Sequence, residues 1–323
     1  MSMIQQPCPL CGSRDARVVA TVADYTVALT NVCCNRCGLV FASPFPAAEQ
    51  LEAYYRSEFT QGRHRIQTVA EARERAARKG SAAKYSAEGL VDGLAAGSHV
   101  LEIGCSYGFL LEAVRKAVQC HVEGVEPSEV SARFAREEFG IPVFPGTVER
   151  YLETPVTERF DLIIVSHVLE HLSDPVAVLR ALERRLAPGG RLYICVPDVT
   201  HLQEPPESFF QVPHLVSFSP WTLHLAFAAA GFKIIRFQRK LRAPKSGMEA
   251  YAVRIADSVD AYPHAALRVG CDPRAVAVDV RRAQRLYGAL RAAKSAARGI
   301  PFFDAERLGP RMRRLVRIVR DRF

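Results

Sequence analysis

The sequence predicts an α/β fold in which an open, mostly parallel sheet has helices on both faces. From His99 onward, short runs of Val, Ile and Leu alternate with helical patterns. Apolar strands that are buried on both faces and separated by helices are typical of a parallel sheet. This domain is predicted at residues 98–256, after a cysteine-rich module at 1–46 and a helical connector at 47–97, and a basic helical extension is predicted at 257–323.

The elements of the predicted sheet follow one another in a regular order. The strand HVLEIG leads to a helix after Gly108, and HVEGVE leads to a helix over residues 128–139. The strand IPVF follows, then RFDLIIVS, a helix over 175–186, and RLYICVP. Residues 198–219 are polar and rich in proline, and their length predicts a functional loop or lid. A helix over 220–230 and the strands FKIIRF and EAYAVRI complete the domain.

The composition indicates a soluble, globular protein. The 323 residues are 49% hydrophobic, which is enough to bury a sizeable core. The first residues show neither a basic segment nor an apolar segment of the secretory type, and no uncharged stretch has the length of a membrane span. Four of the nine cysteines form two CxxC pairs, which is typical of a metal site in a reducing compartment. We therefore expect a cytoplasmic protein.

The net charge of +9 is concentrated in the predicted extension. Residues 265–323 hold 15 Lys and Arg against 5 Asp and Glu, so the rest of the chain is close to neutral. Apolar residues recur there at spacings of three and four, with arginines on the opposite face, as in amphipathic helices. We expect these helices to pack on the body of the protein or on a second copy. Binding to an anionic membrane and binding to nucleic acid are the less favoured alternatives.

A glycine turn follows the first predicted strand. In the string VLEIGCSYGFLL, Gly104 and Gly108 lie between an apolar strand and a helix, where their lack of a Cβ lets a ligand approach the backbone. The spacing differs from the GxGxxG of dinucleotide-binding proteins, because Ser106 stands between the two glycines. Glu126 ends the second strand, 22 residues after Gly104, where an acidic side chain can accept hydrogen bonds from ribose hydroxyls.

Four motifs in this order resemble the class I S-adenosylmethionine-dependent methyltransferases. They are the ExGxxxG turn, Glu126, the string FDLIIVSHVLEHL and the string LAPGGRLYICVP, and the resemblance covers residues 98–239. It implies a Rossmann-like sheet and S-adenosylmethionine as cofactor. Many members of the family have an acidic residue at the position of Thr147 and a glycine at that of Ser106.

The resemblance also implies which residues bind the cofactor. Glu102 and Gly104 would face its methionine part, Glu126 its ribose, and Thr147 and Val148 the edge of its adenine. The full set implied by the resemblance is Glu102, Gly104, Cys105, Ser106, Gly108, Glu126, Pro127, Thr147, Val148 and Ser166.

The cysteine pairs predict a structural zinc site. Cys8 and Cys11 lie in CPLCGS, Cys34 and Cys37 lie in CNRCGL, and a glycine follows each pair and permits a tight knuckle. Four thiolates suit tetrahedral Zn²⁺ and leave no position open for catalysis. Cys33 adjoins Cys34 but does not keep the CxxC spacing. Two knuckles followed by GLVFASPFP resemble bacterial methyltransferases that act on nucleotide-linked sugars, polysaccharides and related metabolites.

Three histidines are candidates for the proton transfer that a hydroxyl or carbon acceptor requires. His167 follows the fourth strand, at the sheet edge where open α/β sheets bind ligands. His171 lies one turn later, where we expect a mainly structural role. His214 lies in the predicted lid, in the string HLVSFS, which resembles the HxxxFS segment of sugar C-methyltransferases, whose histidine is the base. The Tyr and Glu of that segment are replaced here by Gln211 and Pro213. His214 and His167 are the predicted catalytic residues.

These observations predict methyl transfer from S-adenosylmethionine to a hydroxyl, or less favourably a carbon, of a carbohydrate or related small metabolite. We expect this acceptor to be free or linked to a nucleotide or a lipid. An RNA base methyltransferase is the leading alternative, although the cysteine module has few basic residues with which to hold RNA. A zinc-bearing interaction protein on an inactive methyltransferase scaffold is a third hypothesis, and it would require a damaged cofactor site.

Overall fold

The computed structural model describes residues 3–23, 28–47, 49, 51, 68–71, 73–74, 87–202, 206–210, 213–240 and 247–257. Most of the predicted connector and the predicted C-terminal extension beyond Asp257 lie outside the described residues. None of the described helices is both long enough and apolar enough to cross a membrane.

The described strands form one large sheet, one smaller sheet and a two-stranded pair. The strands are β1 (Met3–Ile4), β2 (Ala16–Ala23), β3 (Ala28–Cys34), β4 (Val40–Ala42), β5 (Phe45–Pro46), β6 (His99–Ile103), β7 (His121–Glu126), β8 (Val143–Pro145), β9 (Phe160–Ser166), β10 (Leu186–Val196), β11 (Val216–Ser217), β12 (Phe232–Lys240) and β13 (Gly247–Arg254). The α-helices are α1 (Phe109–Val118), α2 (Glu129–Phe139), α3 (Val148–Leu152), α4 (Pro175–Glu183), α5 (Pro206–Phe209) and α6 (Pro220–Ala229), and short 3₁₀ helices cover Leu169–His171 and Ile255–Asp257.

The large sheet confirms the predicted fold class. Its strand order is β12-β13-β10-β9-β6-β7-β8, with β13 antiparallel to both of its neighbours. The strands β6, β7, β8, β9 and β10 pair in parallel. The chain leaves β6 towards β7 and later returns to β9 on its other side, so the carboxyl end of β6 is the switch point at which open α/β sheets bind ligands.

Helix boundaries follow the local capping signals. The Ser128 hydroxyl accepts a hydrogen bond from the Ser131 N–H at the start of α2, and Gly140 ends that helix with a φ of 63°. At α4, the Asp174 carboxylate accepts from the Ala177 N–H. This helix ends at Glu183, earlier than the predicted residue 186, because Leu186 already pairs with Phe160 as the first residue of β10.

The smaller sheet joins the cysteine module to the predicted lid. Its order is β11-β4-β3-β2, and it is antiparallel throughout. In β11, Val216 pairs with Phe41 and Ser217 with Val40. The predicted lid therefore contains a strand that is fixed to the N-terminal module, together with α5. The knuckle prediction for residues 1–46 did not include the β2–β3 hairpin, which is the longest element of this sheet.

The two sheets share one buried core. Leu39 and Phe41 of the module, Leu215 and Phe218 of the lid segment, and Ile163 of β9 belong to a single apolar cluster. The module consequently packs against the sheet close to the carboxyl edge of β9.

Candidate cofactor and catalytic site

The glycine turn at residues 104–108 is held against the end of β7. The Gly104 and Cys105 N–H groups donate to the Val125 carbonyl at 2.7 and 3.1 Å. Gly104, Ser106 and Gly108 have φ values of 73°, 51° and 73°. A positive φ is readily adopted by glycine but is unusual for serine, and such backbone conformations concentrate at functional sites. The serine that replaces the family's glycine is thus accommodated in the left-handed region.

Gly104 has no room for a side chain. A Cβ at this position would lie 2.5 Å from Val168 Cγ2, and a Cβ at Gly108 would lie 3.0 Å from the Ala135 Cβ. The contact with Val168 shows that the segment after β9 covers the turn after β6. Residues 167–171 therefore border the same crevice as the glycine turn.

Glu126 ties the turn to the start of α2. One carboxylate oxygen accepts from the Ser106 N–H and the other accepts from the Ser128 N–H, both at 2.8 Å. Burial raises the pKa of Glu126 to about 7, against the opposing effect of these two N–H bonds. Each carboxylate oxygen can accept a second hydrogen bond, so the predicted ribose contact is compatible with this geometry.

Glu102 is a buried carboxyl group with an unsatisfied acceptor. Its side chain is 5% exposed, and its Oε2 atom has no hydrogen-bond partner among the described residues. Burial, together with the charge of Glu126, raises its pKa to about 8. A cation placed here would relieve both effects. The residues present therefore fit the ammonium group that ends the methionine part of S-adenosylmethionine.

The remaining predicted cofactor residues lie around the same edge. Thr147 is the N-cap of α3, and its hydroxyl accepts from the Arg150 N–H at 3.5 Å. Val148 begins α3 and is buried, Pro127 separates Glu126 from Ser128, and Ser166 is the last residue of β9.

The Cys105 side chain does not face this edge of the sheet. It packs under β7, next to Gly124, where an added Cβ would lie 2.4 Å from the Cys105 sulfur. Only the backbone of Cys105 is available to a ligand.

The four predicted metal ligands lie together. The sulfur atoms of Cys8 and Cys37 are 3.6 Å apart, and those of Cys11 and Cys34 are 3.5 Å apart. All four lie within 4.8 Å of one another. A tetrahedral ion with Zn–S bonds of about 2.3 Å requires sulfur atoms about 3.8 Å apart, so the spacing fits Zn²⁺.

The two knuckles have the same backbone geometry. The Gly12 N–H donates to the Cys8 carbonyl at 2.9 Å, and the Gly38 N–H donates to the Cys34 carbonyl at 3.0 Å. Both glycines have a positive φ, of 72° and 81°. The equivalence explains why a glycine follows each CxxC pair.

The thiols of the cluster compete for ionisation. A hydrogen bond with Cys37 is the main cause that lowers the pKa of Cys8 to about 6. The same hydrogen bond and burial raise the pKa of Cys37, and burial raises that of Cys11 to about 11. One thiolate is therefore favoured at the expense of its neighbours, and a divalent cation would remove this conflict. Cys33 lies in a separate apolar cluster with Val19 and Phe210.

His167 forms an ion pair with a buried glutamate. Its Nδ1 atom lies 3.4 Å from Glu170 Oε1, and its Nε2 atom lies 3.8 Å from the Cys195 sulfur. Burial opposes the charged imidazolium, but the hydrogen bonds to Cys195 and Glu170 and the charge of Glu170 outweigh it and raise the pKa of His167 to about 9. The ring is therefore protonated at neutral pH, with both nitrogens directed at protein groups. This state is unsuited to accepting a proton.

A backbone carbonyl orients the ring of His214. Its Nδ1 atom lies 2.7 Å from the Phe209 carbonyl, which can only accept, so Nδ1 carries the proton of the neutral ring. The lone pair is then on Nε2, the atom that a general base uses. The ring packs edge-on against His171, with centroids 5.1 Å apart. His171 is buried, and burial is the main cause that lowers its pKa to about 4.

Comparison with known proteins identifies the family. A family model described as a methyltransferase domain matches residues 62–236, which is more than half of the chain. The chain belongs to the S-adenosylmethionine-dependent methyltransferases. The predicted family resemblance is thereby confirmed.

Curated relatives of this methyltransferase match only part of its length. The ubiquinone biosynthesis O-methyltransferase of Pseudomonas aeruginosa is 32% identical over 103 residues, which are 31% of this chain and 44% of that protein. The protein of the same name from Proteus mirabilis is 38% identical over 104 residues, which are 30% of this chain and 41% of that protein. The matches thus span less than half the length of these relatives.

A solved structure also matches at low similarity. The magnesium protoporphyrin IX methyltransferase of Synechocystis with bound S-adenosylhomocysteine is 16% identical and aligns over 64% of this chain and 100% of that chain, with a TM-score of 0.49.

Glu170 is the residue of the methyltransferase site that sequence analysis missed. It is 2% exposed, and although burial opposes its charge, the interaction with the His167 imidazolium outweighs burial and lowers the pKa of Glu170 to about 2. The string HVLEH contained a signal, because residues spaced by three and four lie on one face of a helical turn. Here that turn is the 3₁₀ helix Leu169–His171. His214 was predicted from its own segment, but no local signal indicated that it lies beside Glu170.

The close approach at Gly104 gives a testable prediction. We expect Gly104→Ala to reduce the free energy of unfolding by about 1–3 kcal/mol, because the new Cβ collides with Val168 in a conformation that alanine also disfavours. Chemical denaturation measures this change, and adding Val168→Ala should recover part of it.

Gly140→Ala is the matched control for this prediction. Gly140 has a similar φ of 63°, but its Cβ would meet no atom within 4 Å. A loss at Gly140 as large as that at Gly104 would show that backbone strain, and not the contact with Val168, accounts for the effect.

Proposed function

We propose that this methyltransferase transfers the methyl group of S-adenosylmethionine to a hydroxyl oxygen of a small metabolite, with His214 as the general base. The observation that carries the proposal is the hydrogen bond from His214 Nδ1 to the Phe209 carbonyl, which leaves Nε2 as an acceptor. The names of the curated relatives, which are O-methyltransferases, favour oxygen over carbon as the acceptor atom.

The proposed base lies beside the methyl-transfer crevice. Val168 contacts Gly104, Glu170 and His171 follow Val168 on the same turn, and His214 packs on His171. These contacts and the shared turn support a position of His214 near the cofactor turn. Bound S-adenosylmethionine supplies an electrophilic methyl group, and the protein positions the acceptor hydroxyl and removes its proton.

Carbohydrates and related metabolites are the proposed acceptor class. The cysteine module and the segment that follows it resemble bacterial methyltransferases that act on such compounds. This module supplies three of the four strands of the smaller sheet, and the lid segment supplies the fourth. A carbon acceptor is less favoured, because the Tyr and Glu that accompany the base in sugar C-methyltransferases are absent at Gln211 and Pro213.

The acceptor atom is testable with isotopically labelled cofactor. The protein should transfer the methyl of ¹³C-methyl S-adenosylmethionine to members of a panel of nucleotide sugars, glycosides and phenols. The product's carbon chemical shift distinguishes an O-methyl from a C-methyl group. A C-methyl product, or transfer to RNA alone, would contradict the proposal.

The role of His214 predicts a kinetic effect. We expect His214→Ala to lower kcat at least about tenfold, because a positioned base contributes about 10²- to 10⁴-fold in rate. The affinity for S-adenosylhomocysteine should stay within about threefold, since His214 is not assigned to the cofactor.

His224→Ala is the control for His214. His224 Nδ1 makes the same 2.7 Å contact with a backbone carbonyl, that of Pro220, but its ring packs at a tilt against Phe237 and does not belong to the Glu170 group. The His224→Ala variant should keep full turnover. A larger loss in His167→Ala than in His214→Ala would move the base assignment to His167.

Glu102 predicts how cofactor binding depends on pH. Its pKa of about 8 in the free protein means that it must lose a proton before it pairs with the ligand ammonium. Binding therefore releases a proton at lower pH, and we expect the affinity for S-adenosylhomocysteine to fall about fivefold between pH 8 and pH 7. Titration calorimetry at several pH values measures this slope.

The Glu102→Gln variant tests the assignment of this slope. The glutamine cannot ionise. The variant should therefore bind S-adenosylhomocysteine more weakly than the wild type near pH 8, and its affinity should not decline towards pH 7. An unchanged slope in the variant would assign the proton to another group.

We also propose that Cys8, Cys11, Cys34 and Cys37 hold one structural Zn²⁺ per chain. Elemental analysis should find one zinc in the purified protein and none in Cys37→Ser. Because β4 of this module pairs with β11, the variant should lose methyl transfer while still binding S-adenosylhomocysteine. Cys33→Ser should retain its zinc, and a Cys37→Ser variant with full zinc content would contradict the ligand set.

A further inference from the structure

A second group of metal-ligating side chains lies outside the cysteine module. Glu170, His171 and His214 offer one carboxylate and two imidazole donors that lie within 4.8 Å of one another. Two of these residues belong to the turn after β9, and the third comes from the lid segment.

One oxygen of the buried Glu170 carboxylate has no partner among the described residues. Its Oε2 atom accepts no hydrogen bond from any of them. Its Oε1 atom lies 3.4 Å from His167 Nδ1 and 3.8 Å from His171 Nε2, both beyond a good hydrogen-bond length. A buried carboxylate is stabilised by hydrogen bonds, by an ion pair or by a metal ion. The pair with His167 engages Oε1 and leaves Oε2 available.

His214 is oriented as a metal ligand usually is. Metal-bound histidines almost always donate their second ring nitrogen to a carbonyl or carboxylate, which fixes the tautomer and the ring. The hydrogen bond from His214 Nδ1 to the Phe209 carbonyl is such a contact. His171 presents Nε2 towards the same carboxylate, 3.8 Å from Glu170 Oε1.

We infer that Glu170, His171 and His214 form a second metal site, for a first-row divalent cation. Two imidazoles and one carboxylate suit Zn²⁺, Fe²⁺, Co²⁺ or Mn²⁺ and leave coordination positions open. Metal–ligand bonds of about 2.1 Å require donor atoms about 3–3.5 Å apart, so the side chains must close on the ion by about 1 Å.

The site makes metal binding and catalysis mutually exclusive. A metal ion bound to His214 Nε2 occupies the lone pair that the proposed base needs. The bound cation therefore inhibits methyl transfer. This consequence depends on the proposed role of His214, whereas the binding of the metal does not.

The experiment uses zinc-loaded, full-length protein and Co²⁺ as the probe. Calorimetry should show one Co²⁺ site beyond the zinc already present. The spectrum of the bound Co²⁺ should show visible ligand-field bands and should lack the strong near-ultraviolet absorption that thiolate ligands give. Glu170→Gln, His171→Ala and His214→Ala should each weaken this site at least about tenfold, and His224→Ala should leave it unchanged.

Thermal unfolding and S-adenosylhomocysteine binding show which variants remain folded. The stoichiometry of the wild-type protein is decisive in any case. If folded wild-type protein binds no second Co²⁺, the inference is overturned. Undiminished binding in folded His171→Ala and His214→Ala, or thiolate absorption in the bound state, would also overturn it.

Activity separates the metal site from the proposed function. Co²⁺ should inhibit methyl transfer in proportion to occupancy of the second site, and His171→Ala should be less sensitive. Occupancy without inhibition leaves the site in place but overturns the exclusivity and the assignment of His214 as base.

Discussion

Two backbone hydrogen bonds at Leu215 hold the catalytic side of the molecule together. The Leu215 N–H donates to the Glu170 carbonyl at 2.9 Å, and the Leu215 carbonyl accepts from the Ala42 N–H at 2.8 Å. One residue thus connects the turn after β9, the lid segment and the cysteine module. A two-residue strand such as β11 is not stable alone, so its position depends on the neighbouring β4 and on the shared apolar core. Four cysteine ligands would leave a metal ion no open position for catalysis. The module that holds them nevertheless helps to fix Leu215, the residue next to His214, through β4.

The proposed cofactor site has a different basis, which is unusual backbone geometry together with two buried carboxyl groups. Ser106 and His167 both have positive φ values, of 51° and 56°, and they lie on the two loops that meet at Gly104. Glu102 and Glu126 are both buried, and their mutual repulsion adds to the cost of burial for Glu102. Such an arrangement is poorly stabilised by the protein alone. A ligand that carries an ammonium group and ribose hydroxyls would supply the missing partners of the two carboxyl groups, as the proposed cofactor contacts require.

Much of the large sheet could be predicted because its signals are local. Apolar strands, the glycine turn and caps such as Asp174 act within a few residues of the elements that they define. The cysteine knuckles were predictable for the same reason, since each CxxC pair and its glycine form one tight turn. The pairing of β11 with β4 was not, because it joins segments about 175 residues apart and neither strand is longer than three residues. The prediction of a lid was based on length and polarity, which do not reveal what the segment pairs with. His214 is 44 residues from Glu170 in the sequence, and this separation concealed that it completes the cluster around Glu170.

Around Glu170, a single buried carboxylate gives three histidines three different states. His167 is closest, and the ion pair outweighs burial and keeps its ring protonated. His171 is more completely buried and farther from the carboxylate, so burial prevails and its ring is neutral. The proton of His214 is fixed by the Phe209 carbonyl, which leaves its other nitrogen free to accept a proton from a substrate or to bind a metal ion. The ion pair of His167 and the orientation of His214 therefore have different causes, the first being the short distance to Glu170 and the second the Phe209 carbonyl. This difference favours His214, of the two predicted histidines, for the proposed proton transfer.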